Sequence, residues 1–229
     1  MSDPRRVLLV GATGLVGGCV MEQAVAMPDL RLVALARREQ PLPRGGRMEM
    51  LVAPDTSWTQ AIAAIAPEAV VCALGTTWRQ AGRDEQAFRA VDHDLVLAVA
   101  RAARDAGASQ FVLISSVGAD RAARQLYLRT KAEVEDALTR LRFRRLDILR
   151  PGLLRGARSG ETRWLERLGG VVSPLADLLM QGSRRKYRSV TARNVAGAAL
   201  GCLRQRAAGR FVHEHDAICR LAIQKDNGR

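Results

Sequence analysis

Three glycines at three-residue spacing, Gly11, Gly14 and Gly17, follow the apolar run Val7-Leu8-Leu9-Val10 and lead into a helix-compatible stretch. That order reads as strand, turn, helix. Gly11 permits the tight turn off the strand, Gly14 lets a ligand come close to the backbone, and Gly17 lets the helix pack tightly. The N–H groups of Leu15, Val16 and Gly17, with Thr13 in the turn, have no partner inside a helix that begins there. They lie at the positive end of its dipole. The chemistry this suits is the binding of an anion, above all the pyrophosphate of a dinucleotide.

Two further groups could act on such a ligand. Arg37 and Arg38 follow the apolar run Leu32-Val33-Ala34-Leu35-Ala36. In a dinucleotide fold an acidic residue at this strand end would hold the adenosine ribose hydroxyls. Two guanidiniums instead suit a 2′-phosphate, and so NADP(H). A solvated surface pair is the competing reading. Tyr127 and Lys131 lie four residues apart in a helical stretch, which puts both on one face.

These groups must be carried by regular elements. The first helix is expected over about 15–27, and strands over 30–36, 48–52, 69–74, 111–114 and 143–149. Between the second and third strands Glu39 to Arg47 holds two prolines and two glycines, so the usual second helix of a Rossmann unit is expected to be missing. Asp55 is read either as an adenine contact or as a turn former. Helices are expected from Ser57 to Ala66, over 84–106 and over 125–141. The C-terminal part is less regular. Short helices are expected at 162–172, 174–180 and 216–223, a longer one at 192–204 and a strand at 210–213. Gly75, Thr76 and Thr77 fall at the carboxyl end of the fourth strand, where open α/β sheets bind ligands.

The 229 residues fit one domain. At 48% apolar residues the chain carries enough for a core, which argues against disorder. No run is long and apolar enough to span a membrane, and Met1 to Arg5 leads straight to the first strand, so a cytoplasmic protein is expected. Cys19, Cys72, Cys202 and Cys219 are widely spaced, and neither a metal site nor a disulfide framework is expected. His93, His213 and His215 form no metal motif, and His213 and His215, alternating on an expected strand or its end, are read as surface residues. The net charge of +13 allows an anionic partner. Aromatic residues are only 4%, which argues against a stacking platform, and nucleic acid is not an expected partner.

The glycine loop, Leu74-Gly75-Thr76-Thr77, Ser115-Ser116-Val117-Gly118-Ala119-Asp120, Tyr127 to Glu135, and Arg150-Pro151-Gly152-Leu153-Leu154 occur in an order that resembles the atypical short-chain dehydrogenase/reductases. Within that superfamily the chain is most similar to the HIV Tat-interactive-protein oxidoreductases and their bacterial NAD(P)H-binding relatives, over nearly its whole length. The resemblance implies a Rossmann-type, doubly wound parallel α/β sheet in a single domain, 1–229, with residues 153–189 forming most of a small substrate-side lobe. It implies cofactor contacts from the glycine loop, from Leu74, Gly75 and Thr76, from Lys131, and from Pro151, Gly152 and Leu153. It also implies a catalytic trio of Ser116, Tyr127 and Lys131.

Chemistry supports the trio. A carbonyl receiving hydride needs a proton for the developing alkoxide. A tyrosine hydroxyl, with an ordinary pKa of about 10, is helped by an ammonium one helical turn away. Ser116 would hold the substrate oxygen. Two positions depart from the family pattern. Asp92 stands where many members have asparagine in a proton relay, and Asn194 stands where relatives often have an acid. The leading expectation is an NADPH-dependent reductase of a small carbonyl compound. The alternative is an NADP(H)-binding sensor or scaffold with a protein partner and little turnover. The run Arg184-Arg185-Lys186 with Arg188 is read as solvated surface, with an acidic ligand as the other possibility. Oligomeric state is not legible.

Overall fold

The computed structural model describes residues 3–155 and 182–224. The predicted helices at 162–172 and 174–180, and most of the expected 153–189 lobe, lie outside the described residues.

Seven parallel strands form one sheet: β1 (Arg5–Val10), β2 (Leu30–Ala36), β3 (Met48–Val52), β4 (Ala69–Cys72), β5 (Gln110–Ile114), β6 (Arg145–Leu149) and β9 (Gly209–His213). Their spatial order is β3-β2-β1-β4-β5-β6-β9, so the chain reverses direction of travel between β1 and β4. A short parallel pair, β7 (Leu154–Arg155) with β8 (Val190–Thr191), stands apart.

Every residue of β4, β5 and β6 is buried. Helices cover both sheet faces, which is why these strands read as runs of apolar residues rather than alternating ones. Val7 and Leu9 pack on one face with α1 (Leu15–Ala24) and α6 (Ala192–Leu203). Leu8 and Val10 pack on the other with α2 (Trp58–Ile65), α4 (Leu95–Asp105) and α5 (Leu126–Arg140). The fold class is as expected, and no helix separates β2 from β3. The last described helix, α7 (His215–Gln224), lies against α6.

Three local differences matter for the site. The helix expected over 84–106 is divided into α3 (Glu85–Arg89), a π-helical turn at Ala90–Asp94, and α4. A π turn inserts a residue and rephases the helix, and here it turns Asp92 inward, 1% exposed. The fourth strand ends at Cys72, short of the expected Leu74. Ala73 N–H still donates to Val10 O at 2.9 Å, but Thr76 N–H is drawn to Asp92 Oδ2 at 2.6 Å, so the chain peels away. The sixth strand starts at Arg145, because Arg142 takes a left-handed turn at φ 53°.

Candidate cofactor and active site

The glycine loop sits where β1 meets α1 at the carboxyl edge of the sheet. Gly11 has φ +84°, and a Cβ there would stand 2.3 Å from the Ala73 carbonyl oxygen. Gly11 is therefore glycine both for the turn and for the close passage of β4. A Cβ at Gly17 would stand 2.1 Å from Gly11 O, so its close approach is to the turn itself rather than to the sheet. Gly14 N–H closes the turn on Gly11 O at 3.0 Å. Gly14 then caps α1 with no side-chain hydrogen bond, and the first turn carries no acidic residue. Val16 and Gly17 are buried, so only their backbone N–H groups could meet a ligand, while Thr13 is exposed beside them. An uncapped helix start without a competing carboxylate suits a pyrophosphate.

Arg37 and Arg38 are exposed at the end of β2, and among the described residues neither has an ion-pair partner. Gln40, which no sequence motif marks, donates from Nε2 to Ala12 O at 3.0 Å. It ties the arginine-bearing segment to the glycine loop, so the two expected anion contacts share one ledge. Asp55 lies in a short 3-10 turn after β3.

At the other end of this edge, α5 carries Tyr127 in its first turn and Lys131 in its second. Tyr127 is 40% exposed, whereas Lys131 is buried. Lys131 Nζ lies 5.6 Å from the Tyr127 ring centroid and 2.8 Å from Asp92 Oδ1. Burial pulls the Lys131 ammonium down. The Asp92 carboxylate outweighs that, with Tyr127 adding to it, and holds the lysine above its ordinary value. A Cβ at Gly75 would stand 3.6 Å from Asp92 Oδ1 and 3.9 Å from Lys131 Nζ, so Gly75 leaves the approach to this pair narrow but clear.

Ser116 lies two residues beyond β5, half-buried, with its hydroxyl donating to Val117 O at 3.2 Å. Its neighbour Ser115 points elsewhere. Ser115 Oγ donates to Glu135 Oε1 at 2.6 Å, and Arg150 Nε donates to the same carboxylate at 3.0 Å. Glu135 thus pins the β5 loop and the end of β6 to α5. Val117 N–H donates to Pro151 O at 2.9 Å, which brings Pro151, Gly152 and Leu153 beside the Ser116 loop. Gly152 passes so close to Arg188 O that a Cβ would stand 2.4 Å from it. The structure therefore brings Tyr127 and Lys131 together, with Gly75 beside Lys131, Thr76 tied to Asp92 and Leu74 packed on the core, and puts Ser116 on the loop after β5.

Two surface readings are corrected. The His213 side chain is 14% exposed and lies 2.9 Å from Asp147 Oδ1 across the sheet; His215 is 16% exposed and bonds Asp216 at 2.9 Å. Asp147, Cys202 and His213 bring three ligand-type atoms within 4.8 Å, a grouping their spacing in the chain conceals. Both Asp147 oxygens already accept from Arg145 at 2.7 Å, and burial together with Asp147 pushes the Cys202 thiol well above its ordinary value. The cluster is built as an ion-pair network. In the basic run, Arg185 reaches Asp216 at 3.8 Å, and Lys186 lies 5.4 Å from the Tyr187 ring centroid. Asn194 donates its backbone N–H to Thr191 Oγ1 at 3.1 Å, within the cap of α6.

A family model described as NAD(P)H-binding matches residues 11–206. Protein fmp52, mitochondrial, of Aspergillus clavatus is 35% identical over 207 residues, covering 86% of this chain and 88% of its own. Protein FMP52, mitochondrial, of Saccharomyces cerevisiae is 38% identical over 155 residues, covering 66% and 67%. Among solved structures, the Bordetella bronchiseptica enzyme WbmH in complex with NAD+ superposes with a TM-score of 0.70 at 15% identity, over 93% of this chain and 76% of that one. At that identity the likeness is one of fold. The expected Rossmann-type fold holds, and so does the expected kinship with NAD(P)H-binding proteins. The expectation of a cytoplasmic protein does not, because the relatives are named mitochondrial. That expectation rested on the lack of a long apolar run and on Met1 to Arg5 leading straight to the first strand; the first speaks only to membrane-spanning helices, and neither fixes the compartment.

Proposed function

The chain belongs to the NAD(P)H-binding family, alongside the Fmp52 proteins, and on that premise we propose that it is an NADPH-dependent reductase of a carbonyl compound. The observation that carries this reading is the buried Lys131 ammonium, held as a cation by Asp92 one helical turn from the half-exposed Tyr127. The residues present fit a dinucleotide. The uncapped start of α1 and the turn at Gly11 and Gly14 would take the pyrophosphate, with Arg37 and Arg38 at a 2′-phosphate and Gly75 and Lys131 at the nicotinamide end.

NADPH, when bound, supplies the hydride and leaves as NADP+. The chain supplies the rest. Tyr127 gives its hydroxyl proton to the carbonyl oxygen as the C=O π bond breaks, and the product is the alcohol. Lys131 stabilises the negative charge left on the phenolate, and solvent returns the proton. Ser116 orients the carbonyl oxygen. Its present bond to Val117 O is long for a hydroxyl donor and is exchangeable for a substrate oxygen. Asp92 keeps Lys131 charged and in place, and also fixes the Thr76 backbone. It is a positioning residue with a carboxylate where the family relay has an amide.

One observation favours a second reading. The charge of Lys131 is already matched by Asp92, which weakens its hold on a phenolate and suits a cofactor-binding sensor with little turnover. The test is NADPH consumption against a panel of aldehydes and ketones, with wild type and Tyr127→Phe. Turnover that Tyr127→Phe abolishes supports the reductase. NADPH binding without turnover in either protein supports the sensor.

A further inference from the structure

The mouth of the proposed site is aromatic. Trp78 lies in the loop after β4, where a tight turn fixes it: Arg83 N–H donates to Trp78 O at 2.8 Å, and Ala81 N–H to Thr77 O at 2.9 Å. Its indole meets Phe88 edge to face, with centroids 6.2 Å apart, and Phe88 in turn meets the Tyr127 ring at 6.2 Å. Phe88 is 1% exposed, while Trp78 is 46% exposed. A buried ring therefore props two exposed ones, and one of these is the proposed proton donor. Nine large apolar or aromatic side chains are exposed among the described residues. Two of them, Trp78 and Tyr127, flank the buried ring of Phe88 at the mouth of the proposed site. Exposed apolar surface gathered at one place marks a binding site rather than ordinary scatter.

Arg79 and Arg83 are exposed on the Trp78 loop, and two nearby carboxylates are engaged elsewhere. The Asp84 carboxylate accepts from Ala87 N–H as the cap of α3, and Glu133 is paired with Arg89 at 2.7 Å. An indole held rigid by a packed neighbour offers a flat apolar face at little ordering cost.

We propose that the substrate is an aromatic carbonyl compound, with its ring against Trp78 and its carbonyl at Tyr127. The identification rests on the reductase reading for the reaction, but not for the binding. Reduction converts the aryl carbonyl to the aryl alcohol with hydride from NADPH and a proton from Tyr127. Trp78 is the residue that sets the preference for an aromatic group.

The probes are benzaldehyde and, as its aliphatic counterpart, propanal, with NADPH-saturated wild type, Trp78→Ala and Trp78→Phe. Binding is read calorimetrically, as saturable heat on titrating benzyl alcohol into the protein in the presence of NADP+, which needs no turnover. The expected result is saturable binding in wild type and in Trp78→Phe that is lost in Trp78→Ala. The expected kcat/KM for benzaldehyde exceeds that for propanal by about tenfold or more, a gap that narrows in Trp78→Ala and returns in Trp78→Phe. Absence of saturable binding in wild type, or equal loss for both aldehydes in Trp78→Ala, overturns the proposal. Binding that depends on Trp78 without reduction of either aldehyde upholds the aromatic site and rejects the reductase reading.

Discussion

Asp92 Oδ1 lies 2.8 Å from Lys131 Nζ, with both side chains buried although the two residues are far apart in the chain. The pair joins the π-helical turn to α5, and through Asp92 Oδ2 it also holds Thr76 at the exit of β4. One carboxylate thus fixes two sides of the proposed active site.

Removing that carboxylate leaves a buried ammonium unpaired. Asp92→Ala is expected to lower stability by about 3–5 kcal/mol at neutral pH, as for other broken buried pairs. Because the folded-state pKa of Lys131 is raised, its stabilising contribution is complete below the unfolded value of about 10.4 and is lost as pH rises through the folded value. Urea unfolding of wild type and variant should therefore give curves that converge only at strongly alkaline pH. Convergence near neutrality would show that the pair contributes nothing.

Tyr127→Phe removes the proposed proton and little else, since the ring contacts to Phe88 and Lys131 need no hydroxyl. Turnover should fall by about 10²–10⁴-fold with NADPH affinity retained. Stopped-flow rates alongside a cofactor titration check both halves of that expectation.

Gly11→Ala places a methyl 2.3 Å from the Ala73 carbonyl and demands a left-handed backbone of a residue that resists it. A loss of about 1–3 kcal/mol is expected, together with weakened cofactor binding, because β1 and β4 must part at the ligand edge. Gly18→Ala, where a Cβ meets nothing within 4 Å, is the control expected to retain both.

Asp147 gives the opposite pH behaviour from Lys131. Burial raises its pKa, but hydrogen bonds from His213, Arg145 and Gln110 outweigh burial and hold the carboxyl below its ordinary value. Its contribution is present above the unfolded value of about 3.9 and is lost as pH falls through the folded value. Asp147→Asn should destabilise the protein at neutral pH, and the difference from wild type should shrink in strong acid. Thermal melts across that range decide it.

The glycine loop, the missing helix after β2 and the seven parallel strands are legible in the sequence because each depends on residues close together in the chain. Gly11, Gly14 and Gly17 announce a turn whatever the rest of the chain does. Asp92 is legible only as a departure from a pattern, since its use depends on a π turn that no local periodicity signals. Glu135 joins Ser115 and Arg150 across 20 and 15 residues, and His213 meets Asp147 across 66. Such pairs exist only once the parallel strands lie side by side. From sequence His213 therefore reads as a surface residue, and Gln40 goes unmarked, because it reaches the glycine loop from a segment that reads as irregular.

The most direct test of the central claim is calorimetric titration of the full chain with NADPH and with NADH, repeated on the Arg37→Ala/Arg38→Ala double variant. Charged hydrogen bonds of about 1.5–3 kcal/mol predict that NADPH binds more tightly than NADH by about tenfold or more, and that the double variant loses this margin while still binding NADH. Equal affinity for the two cofactors in wild type, or binding of neither, would contradict the account.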